Sequence, residues 1–226
     1  MTRRKDPVIT IDGPAGAGKS TVARELARRL GFALVSTGAL YRALAWAVRE
    51  AGVKPDEGPA LQAVLDRTTV TLVGARVLVD GRDVTGEIRT PEISELTSQL
   101  TKLRPVRDKM TPLQRALAAP GGVVLEGRDT GSVVWPQAEM KFYLDADLGA
   151  RVRRRQADLR AQGVEMDLAA VKEDVAARDR QDMGRALAPL VKPEGAVVVD
   201  STARTLDEVV EIMLRAVERV WCCTER

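Results

Sequence analysis

Apolar positions along the chain follow two rhythms, one of strands and one of helices. Val8, Ile9, Thr10 and Ile11 form a short β-branched run that predicts a buried strand. Glycine-rich sequence, Gly13 to Gly18, follows at once. Val22, Ala23, Leu26, Ala27 and Leu30 then recur at helical spacing, and Gly31 supplies a stop. Ala33, Leu34 and Val35 predict a second strand, and residues 39–50 a second helix with Leu40, Ala43, Leu44, Ala47 and Val48 on one face. Between about 69 and 84 the period shortens to two. Val70, Leu72, Val77 and Val79 alternate with polar residues around Gly74-Ala75 and Asp80-Gly81, which predicts a small antiparallel meander inserted in the chain.

Short apolar runs return at 123–125, 141–144 and 196–199, each ending beside an acid: Glu126, Asp145 and Asp200. A final helix is predicted from about 206 to 220. Five short apolar strands with helical connections imply an α/β fold with a parallel sheet covered on both faces. Ligands in such folds sit beyond the carboxyl ends of the strands. The chemistry is therefore sought where Ile11, Val35, Leu125 and Leu144 run out.

The first of those ends carries Gly13, Pro14, Ala15, Gly16, Ala17, Gly18, Lys19 and Ser20, a complete G-x-x-x-x-G-K-S between a strand and a helix. Glycines let the backbone wrap so that successive N–H groups face phosphate oxygens, and the positive end of the helix dipole lies beneath them. Lys19 is placed to reach the β- and γ-phosphates, the Ser20 hydroxyl to ligate Mg²⁺, and Thr21 extends the hydroxyl set. This motif specifies a nucleoside triphosphate but not the fate of its γ-phosphoryl group.

Composition removes several alternatives. The 226 residues contain no His, which excludes imidazole-based nucleophilic catalysis and imidazole metal sites. The two cysteines, Cys222 and Cys223, are adjacent near the end of the chain and have neither metal-ligand spacing nor remote partners. No apolar run reaches the roughly 18 residues a membrane span needs, and Arg3, Arg4 and Lys5 are not followed by the apolar core of a targeting signal. A cytoplasmic protein with no membrane partner is expected. A net charge of +3 and only 3% aromatic residues give neither the basic field nor the stacking surface of a nucleic-acid binder. No guanine-reading N-K-x-D is present, and the chain is too short for a remodelling ATPase.

A kinase for a small anionic acceptor needs less: an acceptor pocket and arginines for the phosphoryl charge. Arg151, Arg154 and Arg155 fall at i, i+3 and i+4. Further on, Val171, Val175, Arg178, Asp182 and Arg185 advance by steps of 4, 3, 4 and 3, predicting one helical stripe that starts apolar and ends in a polar cavity. Arginines beside a carboxylate suit phosphate or ribose.

Five segments together resemble the bacterial cytidylate kinases along nearly the whole chain: 9–20 through the glycine-rich loop, Thr37-Gly-Ala-Leu-Tyr-Arg42, Asp83-Val-Thr-Gly-Glu-Ile-Arg89, Gly127-Arg-Asp-Thr-Gly-Ser-Val-Val134 and Arg185-Ala-Leu-Ala-Pro-Leu190. The resemblance implies a P-loop fold of the nucleoside monophosphate kinase type, with a five-stranded parallel sheet, a small antiparallel β insertion and a helical lid. It implies a core over about 6–36, 120–149 and 190–226, a monophosphate-binding region over 37–119 and a lid over 150–189. The implied reaction is phosphorylation of CMP or dCMP by ATP with Mg²⁺, another small acceptor such as UMP being the alternative.

Residue by residue, the resemblance assigns ATP to the loop from Gly13 to Thr21 and to Arg151, Arg154 and Arg155, with Ser20 on the metal. Arg42, Arg128 and Arg185 would hold the acceptor phosphate and the transferring group, and Ser98, Arg107 and Asp129 would read the cytosine edge. Arg178 and Asp182 would meet the ribose, and Thr37 and Tyr41 would line the acceptor site. Lys19, Arg128 and Arg185 are the implied catalytic groups. Asp12, Glu126 and Asp129 lie near strand ends, within reach of a metal-bound water. A monomer is expected. Two positions depart from the family pattern: Ser36 stands where Asp is frequent and receives no role, and Met183 stands where an arginine is common.

Overall fold

A computed structural model describes residues 6–222. The basic residues Arg3, Arg4 and Lys5 and the thiol of Cys223 lie outside that range. The chain begins with β1 (Val8–Asp12), whose five residues are all buried, and passes through the glycine-rich loop into α1 (Lys19–Leu30). β2 (Ala33–Ser36) leads directly into α2 (Thr37–Glu50), then α3 (Pro59–Arg67). Next come β3 (Val70–Val73), β4 (Arg76–Val79) and β5 (Arg82–Asp83), a 3₁₀ turn (Glu87–Arg89), α4 (Pro91–Leu100) and α5 (Arg104–Ala118). β6 (Val123–Glu126) is followed by a π-helical turn (Thr130–Val134) and β7 (Met140–Asp145). α6 (Leu148–Ala161), α7 (Leu168–Met183), β8 (Val197–Asp200) and α8 (Leu206–Cys222) complete it.

The predicted five-stranded sheet is present, in the order β2-β6-β1-β7-β8, with every pairing parallel. The meander forms a separate three-stranded antiparallel sheet, β3-β4-β5. Register is what builds the site: Ile11 and Ser36 both lie opposite Glu126, and Asp12 lies opposite Tyr143. The carboxyl ends of β1, β2, β6 and β7 therefore reach one edge together.

Apolar packing divides into three clusters. One surrounds the sheet between α1 and α8, through Ile9, Leu26, Phe142, Val210 and Met213. A second joins α2 to α5 and the meander, through Leu44, Leu65, Val79, Ile88 and Met110. A third, much smaller, holds α6 to α7 by Val152, Leu159, Val171 and Val175. The meander is pinned to α2 by Trp46, whose Nε1 donates to Glu87 at 2.9 Å while Arg82 lies 4.9 Å over its ring.

Two expectations from the sequence need correction. The stripe from Val171 to Arg185 is not one helix: α7 ends at Met183, capped by Gly184, and Arg185 lies on the segment that turns back. The Leu190 N–H donates to the Asp182 carbonyl at 2.8 Å, and Ala188 takes a left-handed φ of 49° to make that return. α3, α4 and α5 were not read as helices. Their polar rows and prolines hide the period, yet Pro59, Pro91 and Pro105 occupy first-turn positions where proline costs nothing, and Pro112 is accommodated inside α5.

Gly13 joins β1 to the loop at a φ of 151°, and a Cβ there would run into the carbonyl oxygen of Leu144 on β7. Gly13→Ala is expected to cost about 1–3 kcal/mol of stability and to weaken ATP binding by displacing the loop. Thermal unfolding and titration with an unreactive ATP analogue check both.

Candidate active site

A cleft of about 310 Å³ opens at the carboxyl edge of the sheet, lined among others by Gly18, Lys19, Tyr41, Arg42, Asp129 and Arg185. Its floor is the glycine-rich loop. Gly18 adopts the left-handed conformation at the start of α1, and Lys19 begins the helix as a buried side chain at the cleft. Lys19 Nζ donates to the Pro14 carbonyl at 2.7 Å, closing the loop on itself. Burial, then the positive Arg128 nearby, push the Lys19 pKa down from 10.5 to about 7, against the pull of Glu126, Asp182 and Asp12. The folded chain thus binds fewer protons here than the unfolded chain between pH 7 and 10.5. The resulting stability cost is complete below pH 7 and fades as pH rises.

Three acids stand near the sheet edge: Asp12 and Glu126, legible in the sequence only as strand ends, and Asp129, which the resemblance also assigned to the cytosine edge. Asp12 is fully buried, and its carboxylate accepts from the Thr130 N–H, the Thr130 hydroxyl and the Gly131 N–H, all at 2.8 Å. Burial raises its pKa, and those hydrogen bonds oppose the rise. Asp12 therefore holds the π-helical turn in place, and its oxygens are committed to that turn rather than to the cleft. Glu126 accepts from the Ser20 hydroxyl at 3.1 Å and the Ser36 hydroxyl at 2.5 Å. Ser36, to which the sequence assigned nothing, also caps α2 by accepting from the Ala39 N–H. Asp129 forms a buried ion pair with Arg107, whose second nitrogen donates to the Thr101 carbonyl at 3.2 Å. Thr37 donates to the Glu126 carbonyl at 2.9 Å.

Arginines form the far wall. Arg128 Nε donates to Asp182 at 2.8 Å. Burial opposes the charge on Asp182, but Arg128 and Arg185 outweigh it and hold its pKa below the usual carboxylate value. Arg178 pairs with Asp174 at 3.1 Å on the preceding turn of α7 and also lines the cleft. Arg42 and Arg185, together with Arg155 of α6, whose Nε is also buried without a hydrogen-bond partner, differ from Arg128 and Arg178. Arg42 Nε and Arg185 Nε and Nη2 are buried with no hydrogen-bond partner, and Arg185 reaches Asp182 only at 3.7 Å. Burial depresses the pKa of both. Two guanidinium groups desolvated without a full set of acceptors form a site prepared for an anion.

The three α6 arginines singled out in the sequence separate. Arg155 lines the cleft. Arg151 is buried, donates to the Ala15 carbonyl at 3.1 Å and pairs with Asp179. Arg154 donates to the carbonyls of Ala17 and Ser201. The latter two grip the loop backbone rather than face the cleft. Asp179, unnoticed in the sequence, also accepts from the Ala15 N–H at 3.2 Å. Gln181 bridges to the opposite wall by donating to the Ser98 carbonyl at 2.7 Å. The last turn of α7 is thus tied to the loop, to Arg128 and to α4. Ser94, Thr97, Ser98 and Thr101 of α4 line the remaining side.

Among the described residues, no group of three or more acidic or thiol side chains could hold a metal ion. No helix there is long and apolar enough to cross a membrane.

A family model described as cytidylate kinase matches residues 9–219. A cytidylate kinase of Symbiobacterium thermophilum is 48% identical over 220 residues, covering 95% of this chain and 97% of its own length. One from Geobacter sp. strain M21 is 44% identical, covering 96% and 95%. Among solved structures, a gluconokinase from Sinorhizobium meliloti aligns with a TM-score of 0.51 at 16% identity, covering 96% of this chain and 95% of its own. A shikimate kinase from Bacteroides thetaiotaomicron aligns with a TM-score of 0.50 at 11% identity, covering 94% and 98%. These two likenesses establish the fold alone.

Proposed function

The chain belongs to the cytidylate kinase family and phosphorylates CMP at the expense of ATP, and from that premise we propose how its cleft divides the work. The loop from Gly13 to Thr21 holds the ATP phosphates, Lys19 lies at the β- and γ-phosphates, and Arg155 covers them from α6. Arg42, Arg128 and Arg185 receive the acceptor phosphate and the charge of the group in flight. Ser98, Arg107 and Asp129 read the base, Asp129 accepting from the exocyclic amine of cytosine. Tyr41 and Thr37 line the acceptor side, and Arg178 and Asp182 meet the ribose. The observation that carries this reading is the pair of buried, acceptor-poor guanidinium groups of Arg42 and Arg185, in one cleft with Lys19.

The reaction is an in-line displacement. An oxygen of the CMP phosphate forms a bond to the γ-phosphorus of ATP as the bond to the β-phosphate oxygen breaks, and ADP leaves with that electron pair. The acceptor oxygen is already ionised, so no general base is needed, consistent with a chain that lacks His. Catalysis rests on positioning and on neutralising spread charge.

The residues fit a magnesium ion that arrives with the nucleotide rather than one held by protein alone. The Ser20 hydroxyl lies at the loop with Glu126 behind it, able to bind directly or through water. Mg²⁺ there would supply charge neutralisation on the phosphates. α6 and α7, with a small core of their own and polar ties to the rest, serve as the lid that excludes water. One chain completes the cleft, which fits a monomer, and we place it in the cytoplasm with its nucleotides.

The test is ADP release across an acceptor panel. CMP and dCMP are expected to exceed UMP and AMP by about 10²-fold or more in kcat/KM, because UMP leaves Asp129 without its donor. Equal rates with UMP would remove the base-reading role of Asp129 and Arg107.

A further inference from the structure

An anion can lie in the glycine-rich loop only if N–H groups of the loop face inward, and a planar trans peptide then turns each preceding carbonyl the other way. Those outward carbonyls need donors of their own. The described peptides are all trans. The Ala15 carbonyl accepts from Arg151 Nη1 at 3.1 Å, which directs the Gly16 N–H to the opposite side. The Ala17 carbonyl accepts from the Ser201 hydroxyl at 3.1 Å and from Arg154 at 3.4 Å, which does the same for the Gly18 N–H. Gly16 and Gly18 line the cleft, and Arg151 and Arg154 do not.

Ala15 is held at both ends. Its N–H donates to Asp179 Oδ1 at 3.2 Å, and Asp179 Oδ2 pairs with the same Arg151 nitrogen that holds the Ala15 carbonyl. Arg151 Nε is fixed in turn to the Ala146 carbonyl, just beyond β7, at 3.0 Å. Both charged side chains are buried. A Cβ on Gly16 would lie 2.7 Å from the Arg151 carbonyl oxygen, so the loop backbone lies directly against that of α6. Asp179 stands on α7 between Arg178 and Asp182, and those two line the cleft. One turn of α7 therefore reaches the loop with one side chain and the cleft with two. The apolar cluster of α6 and α7 includes no residue of the loop, so the joint between α7 and the loop is this charged pair.

We propose that Arg151 and Asp179 are positioning residues that couple the two nucleotide sites. An acceptor held by Arg178 and Asp182 fixes α7. Through Asp179 and Arg151 it also fixes the Ala15 peptide, so that the Gly16 N–H already faces the cleft when ATP arrives. The first ligand orders the joint, and the second binds more tightly because it need not. The gain is reciprocal. Arg151 acts on ATP through the loop and touches no nucleotide. The inference rests on the reading of Arg178 and Asp182 as acceptor contacts given above.

The experiment titrates an unreactive ATP analogue by calorimetry with and without saturating CMP, and CMP with and without the analogue, beside a melting temperature for each protein. Wild type is expected to bind the analogue about tenfold more tightly when CMP is present, and CMP more tightly by the same factor when the analogue is. Asp179→Asn is expected to reduce that factor to about twofold or less while its affinity for CMP alone stays within about threefold of wild type. Removing one partner leaves the other charge buried and unpaired, which weakens the fold. The double variant Arg151→Met, Asp179→Leu removes both charges and keeps the volume, so its melting temperature should stay near that of wild type and its coupling should also be lost. A role confined to holding the fold together would lower melting temperature and leave the coupling factor intact. The factor retained in either folded variant, or absent from a wild type that binds both ligands, would overturn the proposal. A wild type that does not bind CMP would instead sink the acceptor reading, so the two failures are told apart.

Discussion

Arg185→Ala is expected to lower kcat for CMP phosphorylation by about three orders of magnitude while leaving affinity for an ATP analogue within about threefold. Arg185 is buried and two of its nitrogens lack partners, so its donors are free for an anion that enters the cleft. The charged groups around it are Asp182, Asp129, Arg107 and Arg128, the residues proposed to face the acceptor. No hydrogen bond joins it to the loop. The fold should survive the change, because Asp182 keeps its 2.8 Å bond from Arg128. Steady-state kinetics with saturating ATP and CMP measure the first effect, and equilibrium titration the second. Near-normal turnover would remove Arg185 from the machinery.

Lys19 should produce the second large effect, and its sign with pH can be worked out. In the free enzyme its pKa is depressed to about 7, because burial removes water and little but the Pro14 carbonyl replaces it. A triphosphate supplies the missing negative charge and raises that pKa again. Between pH 7 and 9 the free enzyme is then largely neutral at Lys19 and the complex is protonated, so binding takes up a proton. ATP affinity should therefore fall as pH rises, approaching tenfold per pH unit. Calorimetry at pH 8 in buffers of different ionisation heat should show close to one proton taken up. Lys19→Arg, charged throughout, corrects for the nucleotide's own ionisation and should show none. The same pH slope in both proteins would exclude Lys19 as its source. Lys19→Ala should also cost about 10³-fold in kcat through the lost charge at the transferring group.

Much of the architecture is written in local pattern. β1 and β6 are apolar runs because a parallel strand covered on both faces has no polar side to show, whereas β7 alternates, with Lys141 and Tyr143 half-buried. The glycine-rich loop was legible because its chemistry depends on consecutive residues, and the meander because a period of two cannot be taken for a helix. α4 and α5 escaped. α4 carries Ser94, Thr97, Ser98 and Thr101 to the cleft, and α5 carries Arg107 onto Asp129. Pro91, Pro105 and Pro112 read as breaks, although Val106 and Met110 keep a helical step.

Site residues divided in the same way. Lys19, Arg42, Arg128 and Arg178 were named from motif and resemblance, and they line one cleft. Arg151 and Arg154 were grouped with Arg155 by spacing and by resemblance. A three-and-four step describes neighbours on a helix but not which of them faces a ligand and which faces the loop backbone. Asp179 had no signal at all, since its partner is 164 residues away at Ala15.

The sequence by itself determined the succession of the five core strands and the meander, the phosphate loop, the exclusion of imidazole chemistry and, through resemblance, the acceptor. Only the tertiary structure decided how those parts meet. Asp12 turns inward to hold the π-helical turn because β6 lies beside β1. Arg185 enters the cleft by a return loop rather than along a helix, because the Leu190 N–H meets the Asp182 carbonyl. Lys19 is largely neutral above pH 7 because burial has taken its water away. The first and the last depend on groups distant in the chain and adjacent in space. The pairings are selected by register and desolvation, neither of which has a local signature.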